Sequence, residues 1–271
     1  MKTTKNVSIA IAGAGGRMGG RLIALAAEDP VLEVVAATEA AGHAAVGKDA
    51  GTVAGVEPLG VSITETPDPD ALAGALLIDF TTPEATRQNI AFCERSGVGM
   101  VVGTTGLTDA DQAAIDKVAA RAPMLWASNY SLVVNVLFEL AARAADMLGG
   151  GFDIEILEAH HRFKKDAPSG TALTLAQRIC EAAGREFDRD VVFTRHGDDV
   201  TRQPNEITMQ TLRIGDHPGE HTAYFAGLGE RLEIKHVSTS RDSYVKGALQ
   251  AAKWLAGRPA GRYGMNDVLG L

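Results

Sequence analysis

Short apolar runs alternate with helical patterns of apolar positions along the first 130 residues. Val7–Ala12 and Leu32–Thr38 predict strands, and Arg17–Glu28 predicts the helix between them. The alternation continues through predicted strands at 76–81, 98–103 and 123–128 and predicted helices at 83–95 and 108–121. Nearly continuous apolar strands are typical of a parallel sheet covered on both faces. This part of the chain therefore predicts a Rossmann-like, doubly wound α/β domain.

The pattern changes after a long apolar helix predicted at 132–148. Strand patterns then dominate, at 153–160, 191–195, 206–214, 222–227 and 231–237. The last two flank Leu228-Gly229 and predict a hairpin. A final helix predicted at 243–256 is too short to form a domain and is assigned to the first one. Residues 131–239 are therefore predicted to be an inserted α+β domain, built on a mixed, mostly antiparallel sheet, between the parts 1–130 and 240–271 of the first domain.

Composition excludes several classes of protein. The formal net charge of −8 argues against a nucleic-acid partner, because phosphate binding needs positive charge. No stretch of 18 or more apolar residues is present, so no membrane-spanning segment is predicted. Cys93 and Cys180 match neither a metal site nor a disulfide framework, which favours a cytoplasmic location.

A glycine-rich loop joins the first predicted strand to the first predicted helix, the context of a dinucleotide-binding fingerprint. Its candidate cofactor-binding residues are Gly13, Ala14, Gly15, Gly16, Arg17 and Met18. Such glycines let the backbone approach a pyrophosphate, which the helix N-terminus then binds. The third glycine of the fingerprint arrives one residue late, at Gly19. The alternative is a glycine-rich turn without a ligand.

Glu39 follows Gly19 by 20 residues, at the end of the second predicted strand, where a carboxylate can accept hydrogen bonds from a ribose. Ala40 comes next, and no arginine follows before residue 50. A 2′-phosphate would thus meet Glu39 with only Arg17 to compensate. The sequence favours NADH, with NADPH possible.

Two further loops follow predicted strands at the end where doubly wound sheets bind ligands. Small and polar residues there could hold the nicotinamide part of the cofactor; they are Gly103, Thr104, Thr105, Ala127, Ser128, Asn129 and Tyr130. The alternative is that these loops are plain turns.

A basic segment stands out in this acidic chain, because five of the six residues from 160 to 165 are basic or histidine. It leads into a predicted helix start at Ser169, Gly170 and Thr171, where backbone N–H groups and the helix dipole favour a carboxylate. His160 and Lys164 can carry protons. The alternative is an exposed basic turn before a capped helix. No metal site is predicted, since His160 and His161 would point to opposite faces of a strand.

Residues 155–172 resemble the dihydrodipicolinate reductases, whose pattern Glu-Ile-x-Glu-x-His-x-x-x-Lys-x-Asp-x-Pro-Ser-Gly-Thr-Ala is met at every defined position. The resemblance extends over essentially the whole chain, through 12–19, 103–106, 129–135, 219–222, 229–234 and 240–241. It implies the reduction of 4-hydroxy-tetrahydrodipicolinate, a small dicarboxylate, to tetrahydrodipicolinate with loss of water in the diaminopimelate route to lysine. It also implies a homotetramer assembled through the inserted sheet.

The resemblance also implies roles for particular residues. His160 and Lys164 correspond to the acid–base pair, and the substrate would be bound by His161, Lys164, Ser169, Gly170 and Thr171. The dinucleotide would be held by the glycine loop, Glu39 and the two loops after the later strands. Two positions depart from the family pattern: Ala40 stands where NADPH-preferring members often carry arginine, and Val133 stands where glycine is common.

Two other functions remain open at this point. A different two-domain NAD(P)-dependent dehydrogenase of a small carboxylate would share the glycine loop but should lack the pattern at 155–172. A non-catalytic dinucleotide-binding sensor would explain the first 130 residues and leave the basic segment without a role.

Overall fold

The computed structural model describes residues 6–271, which divide into two compact units. The first unit ends at Ser131 and resumes at Asp242–Leu271, and the second is Leu132–Arg241. The predicted boundary after residue 130 lies one residue before the observed one, and the predicted boundary after residue 239 lies two residues before the observed one.

Strands and helices alternate through the first unit and are grouped in the second. The strands are β1 (Val7–Ala12), β2 (Leu32–Thr38), β3 (Ile63–Thr64), β4 (Leu76–Asp79), β5 (Gly99–Val102), β6 (Pro123–Trp126), β7 (Asp153–His160), β8 (Val191–Val192), β9 (Ile207–Arg213), β10 (Gly219–Ala226), β11 (Arg231–Ser238) and β12 (Gly261–Tyr263). The helices are α1 (Arg17–Ala27), α2 (Ala50–Ala54), α3 (Pro83–Ser96), α4 (Asp109–Ala119), α5 (Leu132–Leu148), α6 (Gly170–Ala183), α7 (Phe187–Asp190), α8 (Asp242–Leu255) and α9 (Met265–Leu269), with a 3₁₀ turn at Gly149–Gly151.

The first unit is built on a parallel sheet of strand order β12-β6-β5-β4-β1-β2-β3. The central strands β1, β4 and β5 are buried along most of their length, as the continuous apolar runs predict. The order reverses at β1, whose neighbours are β2 on one side and β4 on the other. Ligands of doubly wound sheets bind at such a switch point, beyond the carboxyl ends of the strands. The predicted Rossmann-like fold is confirmed, and the glycine loop after β1 lies at this point.

The second unit has a sheet of order β11-β10-β7-β9-β8 with two antiparallel and two parallel pairings. Taken together, the antiparallel pairings span more residues than the parallel ones, so the predicted mixed, mostly antiparallel sheet is confirmed, as is the hairpin of β10 and β11. A core of apolar side chains joins the sheet to α5 and α6; it includes Ile154, Ile156, Phe225, Leu175 and Ile179.

The sequence pattern missed short elements and overextended others. The strand predicted at 191–195 is wrong beyond Val192, since β8 pairs with β9 only at Val191 and Val192. The strand predicted at 76–81 ends at Asp79. The elements α2, β3, α7, β12 and α9 were not predicted. Each has five residues or fewer, too few to show a hydrophobic period.

Replacing Gly19 by alanine should destabilise the first unit, because the added Cβ would lie 2.0 Å from the carbonyl oxygen of Gly13. Gly20 is the matched control, since a Cβ there would be 3.7 Å from its nearest neighbour, the carbonyl oxygen of Ala14. We expect Gly19→Ala to lower the free energy of unfolding by about 1–3 kcal/mol in urea titrations. Gly20→Ala should leave it unchanged or raise it by up to about 1 kcal/mol. Equal stabilities would show that α1 can shift away from the loop.

Candidate active site

The glycine loop of the first unit has the geometry of an anion cradle. Gly13 has a φ of +70°, and a Cβ there would lie 2.8 Å from Cγ2 of Thr81. The Gly16 N–H donates to the Gly13 carbonyl oxygen at 2.9 Å. Gly16 caps α1 without a side-chain hydrogen bond, and the first turn holds no acidic residue. The helix start therefore offers backbone N–H groups and positive dipole to an anion.

Glu39 bends toward this loop. Its Oε2 accepts the Gly15 N–H at 2.8 Å, and its Oε1 accepts the Ala40 N–H at 2.8 Å. Each carboxylate oxygen has a second lone pair, so Glu39 can still accept hydrogen bonds from ribose hydroxyls. The loop and Glu39 thus lie together, as the fingerprint requires.

A cavity of about 780 Å³ opens beside the loop at the carboxyl ends of β1, β2 and β4. Its polar lining includes Glu39, Glu65, Glu84, Gln88 and Arg95. The volume is within the range of small-molecule and cofactor sites. Together with the cradle at Gly13 and the carboxylate of Glu39, the residues present fit the adenosine and pyrophosphate parts of a dinucleotide.

The loops after β5 and β6 contribute differently from what their sequence suggests. Thr104 is buried, where its hydroxyl contacts Thr86 at 2.8 Å and Asp79 at 3.3 Å. Tyr130 is buried as well, and its hydroxyl donates to the carbonyl oxygens of Val102 and Leu125. Burial raises the pKa of Tyr130 well above its usual value. These two side chains support the loops from inside, so any contact with a cofactor falls to their backbone.

The other candidates on these loops are partly or fully accessible. Thr105 and Ser128 are exposed, and Gly103 and Ala127 are half-buried, whereas Asn129 is buried and its Oδ1 accepts the Ser131 N–H at 2.8 Å. A Cβ on Gly103 would lie 2.1 Å from the Phe80 ring, so the loop packs closely there. The predicted cofactor contacts of this group stay predictions.

Asp79 was missed by the sequence analysis. It ends β4 with no exposed surface, and it accepts hydrogen bonds from Thr81 and from Nδ2 of Asn89, each at 2.8 Å or less. Asp79 therefore holds the β4 loop against the β5 loop. The available signal was a carboxylate at the end of an otherwise apolar strand.

His160 is the last residue of β7 and only 6% exposed. Its Nδ1 lies 2.5 Å from Oε2 of Glu158, which is fully buried two residues earlier on the same strand face. Arg213, at the end of β9, makes two hydrogen bonds to the same carboxylate, at 2.9 and 3.0 Å. Burial would raise the pKa of Glu158, but hydrogen bonds from His160 and Arg213 lower it to about 2.

The predicted helix start is the N-terminus of α6. Ser169 caps it, since Oγ accepts the Ala172 N–H at 3.1 Å, and the Ser169 N–H in turn donates to Oε1 of Glu158 at 3.1 Å. Gly170 is exposed, and a Cβ there would meet nothing within 4 Å. The first turn, with Gly170 and Thr171, therefore opens onto space that a carboxylate could fill.

The loop between β7 and α6 carries the positively charged side chain of Lys164. Lys164 Nζ lies 2.9 Å from Oδ2 of Asp166, and the Lys164 side chain is 21% exposed. The Lys164 N–H donates to the carbonyl oxygen of His161 at 3.1 Å, which closes a turn. Nδ1 of His161 is buried without a hydrogen-bond partner among the described residues. The Lys164 ammonium can therefore still donate to a ligand, and the His161 ring can donate to or accept from one.

Two further histidines were not assigned to the site by the sequence. The His221 ring lies 5.2 Å from the His160 ring and 6.1 Å from that of His236. Nε2 of His221 is 3.1 Å from Oγ of Ser169. Burial lowers the pKa of His221 to about 3 and also lowers that of His236. Both are therefore neutral at physiological pH, and they lie in one row across the sheet with Glu158.

No group of three or more His, Cys, Asp or Glu residues between positions 6 and 271 is arranged to hold a metal ion. Within the same range, no helix has both the length and the hydropathy needed to span a bilayer.

A glycine loop at the switch point of a parallel sheet and a basic site on a second unit are common to two-domain oxidoreductases that use pyridine nucleotides, and this chain is one of them. The family model described as dihydrodipicolinate reductase, N-terminus, matches residues 7–130, and the one described as dihydrodipicolinate reductase, C-terminus, matches 133–269. The chain therefore belongs to the dihydrodipicolinate reductase family.

Individual relatives agree with this assignment. A 4-hydroxy-tetrahydrodipicolinate reductase of Syntrophotalea carbinolica is 46% identical over 98% of this chain and 99% of its own length. One of Anaeromyxobacter sp. strain Fw109-5 is 47% identical over 98% of each chain. Among solved structures, a dipicolinate-bound dihydrodipicolinate reductase of Paenisporosarcina sp. TG-14 has a TM-score of 0.73 and 22% identity, covering 96% of this chain and 97% of that one. At 22% identity, the structural match supports the fold alone.

Proposed function

We propose that this chain reduces 4-hydroxy-tetrahydrodipicolinate to tetrahydrodipicolinate, with loss of water, in the diaminopimelate pathway to lysine. The observation that carries the proposal is the arrangement around Glu158, which accepts hydrogen bonds from both His160 and the Ser169 cap of α6. A proton-carrying side chain and a carboxylate-binding helix start are thereby held side by side. Relatives of nearly equal length carry the corresponding name.

The two substrate carboxylates are assigned to the basic loop and the helix start. Gly170 and Thr171 offer first-turn N–H groups, and Ser169 fixes that turn by capping it. The ammonium of Lys164 has three donors, so it can keep Asp166 and still bind a carboxylate. His161, with its buried Nδ1, is the remaining polar group assigned to the substrate.

The reduction adds a hydride and a proton to the substrate and removes its hydroxyl group as water. When held at the glycine loop and Glu39, a reduced nicotinamide dinucleotide would supply the hydride for a ring carbon of the substrate, which is conjugated once water is lost. The electron pair displaced within the conjugated ring is quenched by a proton from the protein. His160 and Lys164 are the two candidate donors, because both are proton carriers in the substrate site.

NADH is the proposed cofactor, with NADPH as a weaker substitute. Glu39, Glu65 and Glu84 line the cavity beside the glycine loop, and a 2′-phosphate would add negative charge next to them. Ala40 supplies no cation, which leaves Arg17 and, in the cavity lining, Arg95 against the three carboxylates.

A coupled assay tests the reaction and the cofactor together. The substrate is made enzymatically from pyruvate and aspartate semialdehyde, and the loss of NADH or NADPH absorbance is followed in parallel. We expect rapid oxidation of NADH and a lower kcat/KM with NADPH. Oxidation of neither, with binding of the cofactor demonstrated, would refute the proposed reaction. A higher kcat/KM with NADPH would refute only the cofactor preference.

A homotetramer assembled through the second unit is also part of the proposal. The face of its sheet opposite α5 and α6 exposes Leu212 and Val237, at 45% and 49%. Leu212 aligns with Ala159 of β7, and Val237 aligns with Glu220 of β10, so they belong to one row across the sheet. Sedimentation equilibrium should give four times the chain mass; a monomer would contradict the proposed tetramer.

A cytoplasmic location is proposed as well, in keeping with the unpaired, buried Cys93 and Cys180.

A further inference from the structure

Glu158 is a carboxylate on the covered face of its sheet. It lies on β7 at the same parity as Ile154 and Ile156, which belong to the apolar core, and it has no exposed surface. An unpaired charge in such a place would be strongly destabilising. All of its hydrogen-bonding capacity is used instead, by Nδ1 of His160, the Ser169 N–H, the Thr211 hydroxyl and the guanidinium of Arg213.

These contacts determine which nitrogen of His160 carries a proton. Glu158 is ionised at neutral pH, because its hydrogen bonds with His160 and Arg213 outweigh its burial. An ionised carboxylate only accepts hydrogen bonds, so Nδ1 of His160, at 2.5 Å, must be the donor. When His160 is neutral, the lone pair is then on Nε2. Proton exchange with a ligand therefore takes place at Nε2.

We propose that Glu158 is the positioning residue of the active site: it fixes His160 in the Nδ1–H tautomer, presents Nε2 to the substrate, and ties this imidazole to the carboxylate-binding start of α6. This rests on the acid–base role proposed for His160. Glu158 itself does not reach the substrate, because it is enclosed by the side chains and backbone it bonds.

A single carboxylate thereby links the separate parts of the substrate site. On one side it holds His160, and on the other it holds the backbone of Ser169, whose hydroxyl caps α6. Arg213 extends the link, since it donates to the carbonyl oxygen of Asp166 at 2.6 Å, and Asp166 is the ion-pair partner of Lys164. Both candidate proton donors are therefore anchored to Glu158, directly or through Arg213.

The first test needs no variant. Nitrogen-15 NMR of protein labelled at histidine reports which ring nitrogen is protonated, and the His160 signals are identified by their loss in His160→Gln. We expect Nδ1 of His160 to be protonated throughout the pH range of activity. A neutral His160 with its proton on Nε2 would overturn the proposal, whatever the kinetic role of His160.

The second test is Glu158→Gln, which preserves size and removes the obligatory acceptor. The glutamine can present an N–H to Nδ1, so part of His160 should change to the Nε2–H tautomer. We expect kcat to fall by roughly 10²- to 10³-fold, since a misplaced proton disables general acid–base catalysis. KM should change less than tenfold, because Gly170, Thr171 and Lys164 remain.

Glu155→Gln is the matched control. Glu155 lies on the same strand, on the opposite face, and it is ion-paired with Arg195 and Arg202. The same loss of charge there should leave the His160 signals unchanged and kcat within about twofold. A folded Glu158→Gln that retains wild-type kcat, or the wild-type His160 tautomer, would overturn the positioning role. If His160→Gln retains wild-type kcat while Glu158→Gln shifts the tautomer, the acid–base role of His160 fails and the hold of Glu158 on the ring stands.

Discussion

Lys164→Met should lower kcat/KM by about 10³- to 10⁴-fold, the largest effect expected of any single substitution in this chain. The change removes a proton donor and a positive charge together, while the methionine keeps most of the apolar stem. The half-buried ammonium, 2.9 Å from Asp166, is assigned to a substrate carboxylate, so KM should rise as well as kcat fall. Steady-state kinetics at saturating NADH measure both parameters.

Two further variants separate the effect of the lost positive charge from that of the lost proton donor. Lys164→Arg keeps a positive charge that does not give up its proton, so it should recover KM more than kcat. Lys165→Met is the control, because Lys165 is the next residue, exposed and assigned no role. It should stay within about twofold of wild type. Wild-type kcat and KM in Lys164→Met would remove Lys164 from the active site.

His160→Ala is expected to lower kcat by roughly 10²- to 10⁴-fold, the usual contribution of a general acid–base group. KM should change little, because the groups assigned to the substrate carboxylates remain. The variant should fold, since Glu158 keeps Arg213 and the Ser169 N–H when His160 is removed. Kinetics and thermal unfolding on the same preparation distinguish lost chemistry from lost structure.

His196→Ala is the control for this change, because His196 is exposed and outside the site. The double variant His160→Ala/Lys164→Met then tests whether the two residues act as a unit. If they do, the double variant should be little slower than the slower single variant. An unchanged kcat in folded His160→Ala would leave Lys164 as the proton donor.

Local interactions explain which elements the sequence predicted well. Thr108 and Asp111 form a capping box at the start of α4, and Gly97 ends α3 with a φ of +72°. Both signals depend on contacts within a few residues. The missed strands β3 and β12 have two and three residues, and they exist because a neighbouring strand offers hydrogen bonds.

The proposed substrate site shows the same division between residues indicated by local patterns and residues brought in by the fold. His160, Lys164 and Ser169 lie within ten residues and could be picked out from the basic segment and the helix-start pattern. Glu158 carried a signal that was available but not used: at the parity of Ile154 and Ile156, it places a charge on the covered face. No local pattern in the sequence indicated Arg213, because 55 residues separate it from the carboxylate it binds.

The sequence by itself determined the fold class, the glycine loop, the basic segment and the family, because these depend on periodicity and on motifs of adjacent residues. Only the tertiary structure decided which side chains support the basic segment and the loops of the first unit. It placed Arg213 and His221 around Glu158 and Ser169, and it directed Thr104 and Tyr130 into the core. The physical reason is that a buried polar group must find its hydrogen-bond partners wherever the packed chain provides them, and those partners can be distant in sequence.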